Sequence, residues 1–477
     1  MNDESVRSQE PADRPRSDGG RGFGTRCVHA GQADPDPATG ARAPPIYQTT
    51  SYVFEDAEHA AELYALEREG DVYSRFDNPT VATLERRLAN LEGGTAAVAT
   101  GSGMAALDVA TSILASVGDN VVSASSIYGG THAYLSTMAD RRGVEARFVD
   151  TLDPDAYAAA IDADTAFVHC ETIGNPSLVV PDLEAVATVA HDRAVPLLVD
   201  NTFATPALCR PLDHGADIVW ESTTKWLHGS GTTVGGVLVD GGSFAWADHP
   251  EKYPEIGAES SALEGTSFAE RFGDRALAVA ARQRAVRSLG DGQKPFDAWA
   301  TLQGTETLAL RMDRHCENAA RVAAFLEAHG AVAWVDYPGL DSHETHETAA
   351  EYLEGGFGGM VTFGLTGGYD AAVQFCEETE LAQFLANVGD AKTLVIHPAS
   401  TTHARLSEAE QRASGVSPDL VRLSVGIEDA EDIIADLAAG IAAATGDGTR
   451  GETTEGDPSD GAGLSDRGDP SDPGGAA

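Results

Sequence analysis

The sequence predicts an α/β protein that has a mostly parallel sheet in its large domain and a smaller α+β domain toward the C-terminus. The first observation is that short apolar runs alternate with helical patterns up to about residue 290. Strands separated by helices favour a parallel sheet whose two faces are both covered. The second is that the order changes from about residue 291, where long helical stretches come first and strands follow. At 477 residues the chain is long enough for more than one hydrophobic core.

Seven apolar runs of strand length predict the large sheet. In chain order they are A-A-V-A-T, D-N-V-V-S-A-S, V-E-A-R-F-V-D, T-A-F-V-H-C-E, V-P-L-L-V-D, A-D-I-V-W-E and G-G-V-L-V-D. A helical pattern that starts at Ser102 follows the first run. In the smaller domain, helical stretches at T-L-Q-G-T-E-T-L-A-L-R-M and R-H-C-E-N-A-A-R-V-A-A-F-L-E-A precede strands at V-A-W-V-D-Y, G-G-M-V-T-F-G-L and V-R-L-S-V-G.

The two ends of the chain differ in composition from the rest. Residues 1–22 are polar and rich in Arg, Asp, Pro and Gly, and the end of the chain repeats the run G-D-P-S-D. Segments of this kind bury too little apolar surface to become ordered. The division that we predict is a disordered segment at 1–22, an N-terminal arm at 23–70, a large domain at 71–290, a C-terminal α+β domain at 291–445 and a disordered acidic tail at 446–477.

The charge argues against nucleic acid as a partner, since 75 acidic side chains outnumber 32 basic ones and the formal net charge is -43. The acids are spread over every segment, which favours a surface kept soluble in a salt-rich cytoplasm over one dedicated acidic interface. Five cysteines without a C-x-x-C pair, and an N-terminus unlike a signal peptide, indicate a reducing cytoplasm. No apolar run reaches the length of a membrane span, so no membrane partner is expected. The histidines of H-E-T-H-E, at 343–347, are spaced by three rather than four, so no metal is expected.

Lys225 is one of four lysines and ends the run G-A-D-I-V-W-E-S-T-T-K, where a strand of buried type gives way to hydroxyl residues. An apolar strand upstream, V-P-L-L-V-D, ends in Asp200. A lysine that can hold an aldehyde cofactor, together with an acid that can hold a pyridinium nitrogen, is the minimum set for pyridoxal phosphate (PLP) chemistry. Asp200 also has a second interpretation, because an aspartate at this place can cap a helix that begins just after it.

The run T-G-S-G-M-A-A-L, at residues 100–107, places two glycines and Ser102 where a strand turns into a helix. Backbone N–H groups and the helix dipole at such a turn can hold a phosphate, and Ser222 and Thr224 can add hydroxyl donors. The alternatives are a tight turn without a ligand and a dinucleotide site, since G-S-G-M-A-A fits the pattern G-x-G-x-x-A. A dinucleotide site requires an acid at the end of the next strand, but V-V-S-A-S-S ends in serines, which favours the phosphate.

Aromatic and basic residues near these runs complete the predicted site. Tyr128, in S-I-Y-G-G-T, can stack on a cofactor ring. Tyr73 and Arg75 place a phenol and a guanidinium shortly before the first strong helix. Arg422, in D-L-V-R-L-S-V-G, interrupts an apolar strand with a group suited to binding a carboxylate, and a buried salt bridge is the alternative.

These segments together resemble the Cys/Met-metabolism family of PLP enzymes, from about Gly24 to Ala442. The resemblance rests on motifs in the same order: Y-x-R-x-x-N-P-T from Tyr73, S-G-M from Ser102, Y-G-G-T from Tyr128, E-T-x-x-N-P from Glu171, V-D-N-T-F from Val199, S-x-T-K from Ser222, H-P-A-S-x-T-H from His397 and V-R-L-S-V-G-I-E from Val421. It implies the fold of the PLP-dependent aspartate aminotransferases, known as fold type I. One departure is Trp220-Glu221, where relatives often have a histidine.

The resemblance also implies roles for single residues. Lys225 would form the Schiff base, Asp200 would hold the pyridinium nitrogen and Tyr128 would stack on the ring, and these three would be catalytic. The phosphate would be bound by Ser102, Gly103, Met104, Ser222 and Thr224, with Tyr73 and Arg75 of a neighbouring subunit. The substrate would be bound by Asn175, Arg422 and Asn387. The site would then be complete only in a homodimer, which the family usually pairs into a homotetramer.

Within the family, N-V-G-D-A-K-T-L at residues 387–394 and the segment 241–270 are similar to those of sulfhydrylases. This similarity implies γ-replacement on O-acetyl-L-homoserine with sulfide, so the expected partners are an amino-acid substrate and sulfide. Three alternatives stay open: γ-elimination or cystathionine synthesis at the same site, an idle homologue that serves as a binding protein, and a nicotinamide oxidoreductase. No motif defines whether the substrate carries an acetyl or a succinyl ester.

Overall fold

The structure is a computed structural model that describes residues 20–446, except residues 33, 406, 408–410 and 412–414. Two sheets, one of seven strands and one of five, organise the described chain. The predictions of disorder for residues 1–19 and 447–477 lie outside the described residues.

The larger sheet has the strand order β1-β7-β6-β5-β4-β2-β3. Its strands are β1 (Ala96–Thr100), β2 (Asn120–Ala124), β3 (Glu145–Val149), β4 (Thr165–Glu171), β5 (Leu197–Asp200), β6 (Ile218–Glu221) and β7 (Gly236–Asp240). Neighbouring strands are parallel except β7, which runs antiparallel to both β1 and β6. Apart from the edge strand β3, these strands are buried over almost all their residues, which explains their nearly unbroken apolar runs.

Helices cover both sheets. They are α1 (Phe23–His29), α2 (Ala57–Tyr64), α3 (Pro79–Glu92), α4 (Gly103–Leu114), α5 (Gly129–Ala133), α6 (Pro154–Ala160), α7 (Leu183–His191), α8 (Thr205–Leu208), α9 (Pro254–Gly257), α10 (Phe268–Phe272), α11 (Ala276–Ala280), α12 (Arg287–Leu289), α13 (Pro295–Thr305), α14 (Leu308–Glu327), α15 (His346–Tyr352), α16 (Gly368–Glu378) and α17 (Ala430–Thr445).

The sequence sets the limits of α3 by ordinary capping chemistry. The Asn78 side chain accepts a hydrogen bond from the Thr80 N–H at 3.0 Å, and Pro79 occupies the first helical position, where no N–H donor is needed. The helix ends at Gly93, whose φ of 82° is a left-handed conformation that glycine adopts without a steric penalty. The last helical residue is therefore Glu92, whose side chain contacts Asn201, the residue that directly follows β5.

The smaller sheet has the order β10-β11-β12-β9-β8. Its strands are β8 (Val332–Asp336), β9 (Met360–Leu365), β10 (Gln383–Phe384), β11 (Leu394–Ile396) and β12 (Leu420–Ser424). All pairs are antiparallel except β10 with β11. In its core the rings of Phe363 and Phe375 meet edge-to-face, with 5.4 Å between their centroids, and both are fully buried.

The helix α14 takes part in two hydrophobic cores. Its N-terminal half contributes Leu308 and Met312 to the core of the larger sheet. Its C-terminal half contributes Val322 and Leu326 to the core of the smaller sheet. A single 20-residue helix therefore connects the two packed units.

The predicted α/β architecture is confirmed, and each apolar run that predicts a strand contains one. The direction of β7 and the short strands β10 and β11 were not predicted. The boundaries at residues 70 and 290 stay a prediction. Within the described ranges, no helix is both long and apolar enough to cross a membrane.

Candidate active site

The loop between β1 and α4 packs against the turn that carries Lys225. Ser102 caps α4, because its side chain accepts a hydrogen bond from the Ala105 N–H at 3.1 Å. A Cβ atom at Gly103 would come within 2.8 Å of the Ser222 Cβ, so a side chain at this position would push the two loops apart. The free N–H groups at the start of this 12-residue helix form a site suited to an anion.

Two further predicted phosphate ligands lie at the same place. The Thr224 hydroxyl donates a hydrogen bond to the Gly235 carbonyl at 3.1 Å, within the turn that follows β6. Met104 lies in the first turn of α4 and packs against the larger core. A cavity of about 810 Å³ opens here, and its walls include Ser102, Thr224 and Asn387.

The Lys225 ammonium group donates a hydrogen bond to the Asn387 Oδ1 at 2.6 Å. Burial lowers the pKa of Lys225 to about 8, and the positive charge of Arg422 acts in the same direction. Near pH 8 a large fraction of the amine is therefore neutral, which is the form that attacks an aldehyde. The hydrogen bond to Asn387 also connects the turn that carries Lys225, the lysine turn, to the segment that precedes β11.

Asp200 ends β5 and is 7 % exposed. Its carboxylate accepts a hydrogen bond from the Thr202 N–H at 2.9 Å. Burial raises the pKa of Asp200, and the bonds from Thr202 oppose this effect. The interpretation as a helix cap is wrong, because the next helix, α8, begins only at Thr205 with Ala204 in the cap position. A buried acid of this kind is suited to a ligand that brings a positive charge.

Glu171 was not predicted as a site residue, yet it holds two residues that were. Its Oε1 accepts a hydrogen bond from the Tyr128 N–H at 2.6 Å, and its Oε2 accepts one from the Asn175 N–H at 3.1 Å. Burial and the neighbouring charge of Asp200 raise the pKa of Glu171. The motif E-T-x-x-N-P contains this glutamate, so the sequence carried a signal for it.

Arg422 on β12 of the smaller sheet is in contact with Asn175, which lies in the loop that follows β4 of the larger sheet. The Arg422 Nη1 donates a hydrogen bond to the Asn175 Oδ1 at 3.2 Å. Burial lowers the pKa of Arg422 to about 10. No carboxylate of the described residues forms an ion pair with it, which argues against the interpretation as a salt bridge. A half-buried guanidinium next to an amide is suited to a substrate carboxylate.

The ring of Tyr128 folds over the glycines that follow it. A Cβ atom at Gly130 would come within 2.3 Å of the Tyr128 Cε1, so a side chain at this position would displace the ring of Tyr128. A Cβ atom at Gly129 would lie 3.5 Å from the His403 Nε2. The side chain of Tyr128 is 46 % exposed, so one face is available to a ligand.

Tyr73 and Arg75 are not brought to the lysine turn within one chain. Tyr73 is 41 % exposed, and the Arg75 guanidinium donates a hydrogen bond to the Arg287 carbonyl. Within the described ranges, neither side chain forms a hydrogen bond to the residues around Lys225. Both are therefore accessible to another molecule.

No group of three or more His, Cys, Asp or Glu side chains in the described parts of the chain is arranged to hold a metal ion. The other elements fit PLP. The helix N-terminus suits its phosphate, the buried Asp200 suits its pyridinium nitrogen, and Lys225 suits its aldehyde. The fold and the site together define a PLP-dependent enzyme of fold type I.

Comparison with known proteins gives the family. A family model described as Cys/Met metabolism PLP-dependent enzyme matches residues 24–442. The chain belongs to this family, and its cofactor is pyridoxal 5'-phosphate. This membership removes the interpretation as a nicotinamide oxidoreductase.

Individual relatives match over nearly their whole length. The chain is 50 % identical to a homocysteine synthase of Schizosaccharomyces pombe, over 87 % of this chain and 97 % of the relative. It is 48 % identical to O-acetyl-L-homoserine sulfhydrylase 1 of Thermus thermophilus, over 88 % of this chain and all of the relative. A crystal structure from Campylobacter jejuni, described as an O-acetylhomoserine (thiol)-lyase, contains an N'-pyridoxyl-lysine-5'-monophosphate. It has a TM-score of 0.84 and 36 % identity, and covers 88 % of this chain and 100 % of its own.

Proposed function

We propose that the protein catalyses γ-replacement on O-acetyl-L-homoserine with sulfide, giving L-homocysteine and acetate. The observation that carries the proposal is the identity of 48–50 % to the homocysteine synthase and the sulfhydrylase, over nearly all of both relatives. The site is consistent with it, because the chain provides a lysine of lowered pKa and an arginine without an acidic partner in the described residues.

We infer which residues would hold PLP, and the geometry of the site supports this assignment. Ser102, Gly103, Met104, Ser222 and Thr224 would bind its phosphate, Asp200 its pyridinium nitrogen, Tyr128 its ring and Lys225 its aldehyde. When bound, PLP supplies an electron sink that stabilises negative charge at the substrate α-carbon.

The side chains of the protein then bind and move protons. Arg422 and Asn175 would hold the substrate carboxylate, and Asn387 would also bind the substrate. The Lys225 Nζ, released as a free amine, would take the proton from the α-carbon. Tyr128, which Glu171 fixes through the backbone, would assist proton transfer while acetate leaves and sulfide adds at the γ-carbon.

We also infer a homodimer with shared active sites, paired into a homotetramer, in the cytoplasm. The exposure of Tyr73 and Arg75 supports the sharing, because both are free to reach a partner subunit's phosphate site. The five cysteines are all buried and unpaired, which supports a reducing compartment.

The experiment supplies O-acetyl-L-homoserine with sulfide, and in a parallel reaction with cysteine. We expect homocysteine in the first reaction and little cystathionine in the second, and no product from the Lys225→Ala variant. Cystathionine without homocysteine would contradict the proposal and favour cystathionine synthesis. The O-succinyl ester, tested side by side, reports which acyl group the site prefers.

A further inference from the structure

Four carboxyl groups lie buried beneath the ends of neighbouring strands of the larger sheet. They are Glu171 on β4, Asp200 on β5, Glu221 on β6 and Glu92 at the end of α3. Three of them have hydrogen-bond donors from the protein. Neither oxygen of Glu221 meets a donor among the described residues, and the second oxygen of Glu92 meets none either.

The two carboxyl groups with free oxygens, Glu92 and Glu221, lie within hydrogen-bonding reach of each other. Two carboxylates cannot form a hydrogen bond, because each of them only accepts. Both residues are 0 % exposed, so bulk water cannot provide the missing donor. A proton on one of the two groups turns the contact into a hydrogen bond and removes one buried charge.

The hydrogen bonds of Asn201 keep the negative charge on Glu92. The Asn201 Nδ2 donates to the Glu92 Oε1 at 2.8 Å and to the Cys209 carbonyl at 2.9 Å. The Asn201 Oδ1 accepts from the Thr172 hydroxyl at 2.8 Å, which fixes the orientation of the amide. Glu92 therefore has a fixed donor that favours its charged form.

The surrounding charges lead to the same assignment. Burial raises the pKa of Glu92 to about 7, but the hydrogen bonds from Glu221 and Asn201 and the charge of Arg210 favour its charged form, while Asp213 opposes it. Glu221 instead faces Asp200, whose charge disfavours a second anion nearby, and the charge of Glu92 adds to this effect. Burial together with these charges raises the pKa of Glu221 well above its ordinary value.

We propose that Glu221 is a neutral carboxylic acid in the folded protein, that it donates a hydrogen bond to Glu92, and that the proton shared by these two groups keeps negative charge away from Asp200. The shared proton keeps the negative charge on Glu92, so Asp200 has no charged neighbour on β6. Asp200 is then more easily kept as the anion that a pyridinium nitrogen requires. The effect on Asp200 rests on the proposed function, in which Asp200 binds PLP. The shared proton does not depend on that function.

Infrared spectroscopy of the holoenzyme tests the proton. We expect a carbonyl band of a protonated carboxylic acid that shifts in D₂O and disappears in both Glu221→Gln and Glu92→Gln. Glutamine fits at either position, because its Nε2 can donate a hydrogen bond to the remaining carboxylate. In Glu92→Gln, the Oε1 of the glutamine can still accept the hydrogen bond from Asn201. Glu85→Gln is the matched control, since the buried Glu85 carboxylate accepts from Arg282 and its replacement should leave the band. Because burial also raises the pKa of Glu171, the decisive measurement is the difference between the wild-type and Glu221→Gln spectra, and a difference spectrum without this band would overturn the shared proton.

The pH dependence of stability gives an independent measurement. A carboxyl with a raised folded pKa keeps its proton over a range where the unfolded chain has lost it, so the free energy of unfolding falls as the pH rises through that range. Glu221→Gln lacks this contribution. Its midpoint of unfolding, relative to the wild type, should be higher at pH 8.5 than at pH 5.5, and an unchanged difference would contradict a protonated Glu221.

The two glutamine variants also separate the effect on Asp200 from the proton itself. Glu221→Gln leaves the charge on Glu92, whereas Glu92→Gln moves it to Glu221, which faces Asp200. Added negative charge near the cofactor favours its protonated form. We expect the midpoint of the pH titration of the cofactor's visible absorption to rise in Glu92→Gln and to stay at the wild-type value in Glu221→Gln. Equal shifts in both would overturn the link to Asp200, and a missing cofactor band in the wild type would instead contradict the proposed function.

Discussion

Replacing Asn387 by aspartate tests how the protein sets the protonation of Lys225. The Asn387 Oδ1 lies 2.6 Å from the Lys225 Nζ, so the variant places a carboxylate in contact with the amine. The pKa of Lys225 is about 8 in the present site. At pH 8 about half of the amine is then neutral, against roughly 0.3 % for a lysine with the usual value. A contacting opposite charge raises the pKa by about 1 to 3 pH units.

The assay is the rate at which PLP is taken up by protein stripped of its cofactor, because uptake requires the neutral amine. The visible absorption of bound cofactor is followed from pH 6.5 to pH 9.5. In the wild type, the rate should rise with pH and level off above pH 8. In Asn387→Asp, we expect uptake at pH 7 to be at least ~10-fold slower, since a rise of one unit in the pKa of Lys225 lowers the neutral fraction of its amine about tenfold.

Asn387→Ala is the matched control, because it removes the same hydrogen bond without adding charge. Loss of an acceptor disfavours the ammonium form, so this variant should take up PLP at pH 7 at least as fast as the wild type. The reasoning is refuted if both variants are slowed equally, or if uptake by the wild type does not change with pH.

Three further predictions concern binding, pH and packing. Arg422→Lys loses the planar fork that suits a carboxylate, so KM for the amino-acid substrate should rise ~10-fold or more in initial-rate measurements, while an unchanged KM would contradict the role. His191→Gln removes a 2.7 Å ion pair with Asp217, which raises the pKa of His191. This stabilisation is present below about pH 6.5 and is lost as the pH rises through the raised pKa, so urea unfolding should show a larger loss at pH 6 than at pH 9. Phe375→Ala should lower the free energy of unfolding by about 3–5 kcal/mol, and Phe384→Ala, at an exposed ring, should have a much smaller effect.

The larger sheet was predictable because its strands are buried on both faces and therefore form unbroken apolar runs. The direction of β7 was not predictable, since the run G-G-V-L-V-D has the composition of a parallel strand. The strand β10 has only two residues, both exposed, so no apolar pattern marks it. Its position depends on pairing with β11, which the local sequence does not encode.

In the predicted site, too, a local sequence pattern marks some features, whereas others depend on contacts between distant parts of the chain. The residues 102, 103, 222 and 225 come together because each follows a strand at one edge of the sheet, which a sequence pattern can indicate. The contact of Lys225 with Asn387 joins residues far apart in sequence, and only the folded chain displays it. Glu92 could not be predicted as part of this cluster, because burial of a charge leaves no local trace in the sequence. Glu221 was visible only as a departure from the family motif.

Because α14 contributes side chains to both hydrophobic cores, the two packed units are joined by one helix. Neither unit can lose its packing without exposing apolar surface of the other. We therefore expect heat or urea to unfold the chain in one cooperative transition. Cutting the polypeptide before Leu308 would strip the larger core of side chains, and cutting after Glu327 would leave the smaller core open. The C-terminal unit is thus not a detachable module.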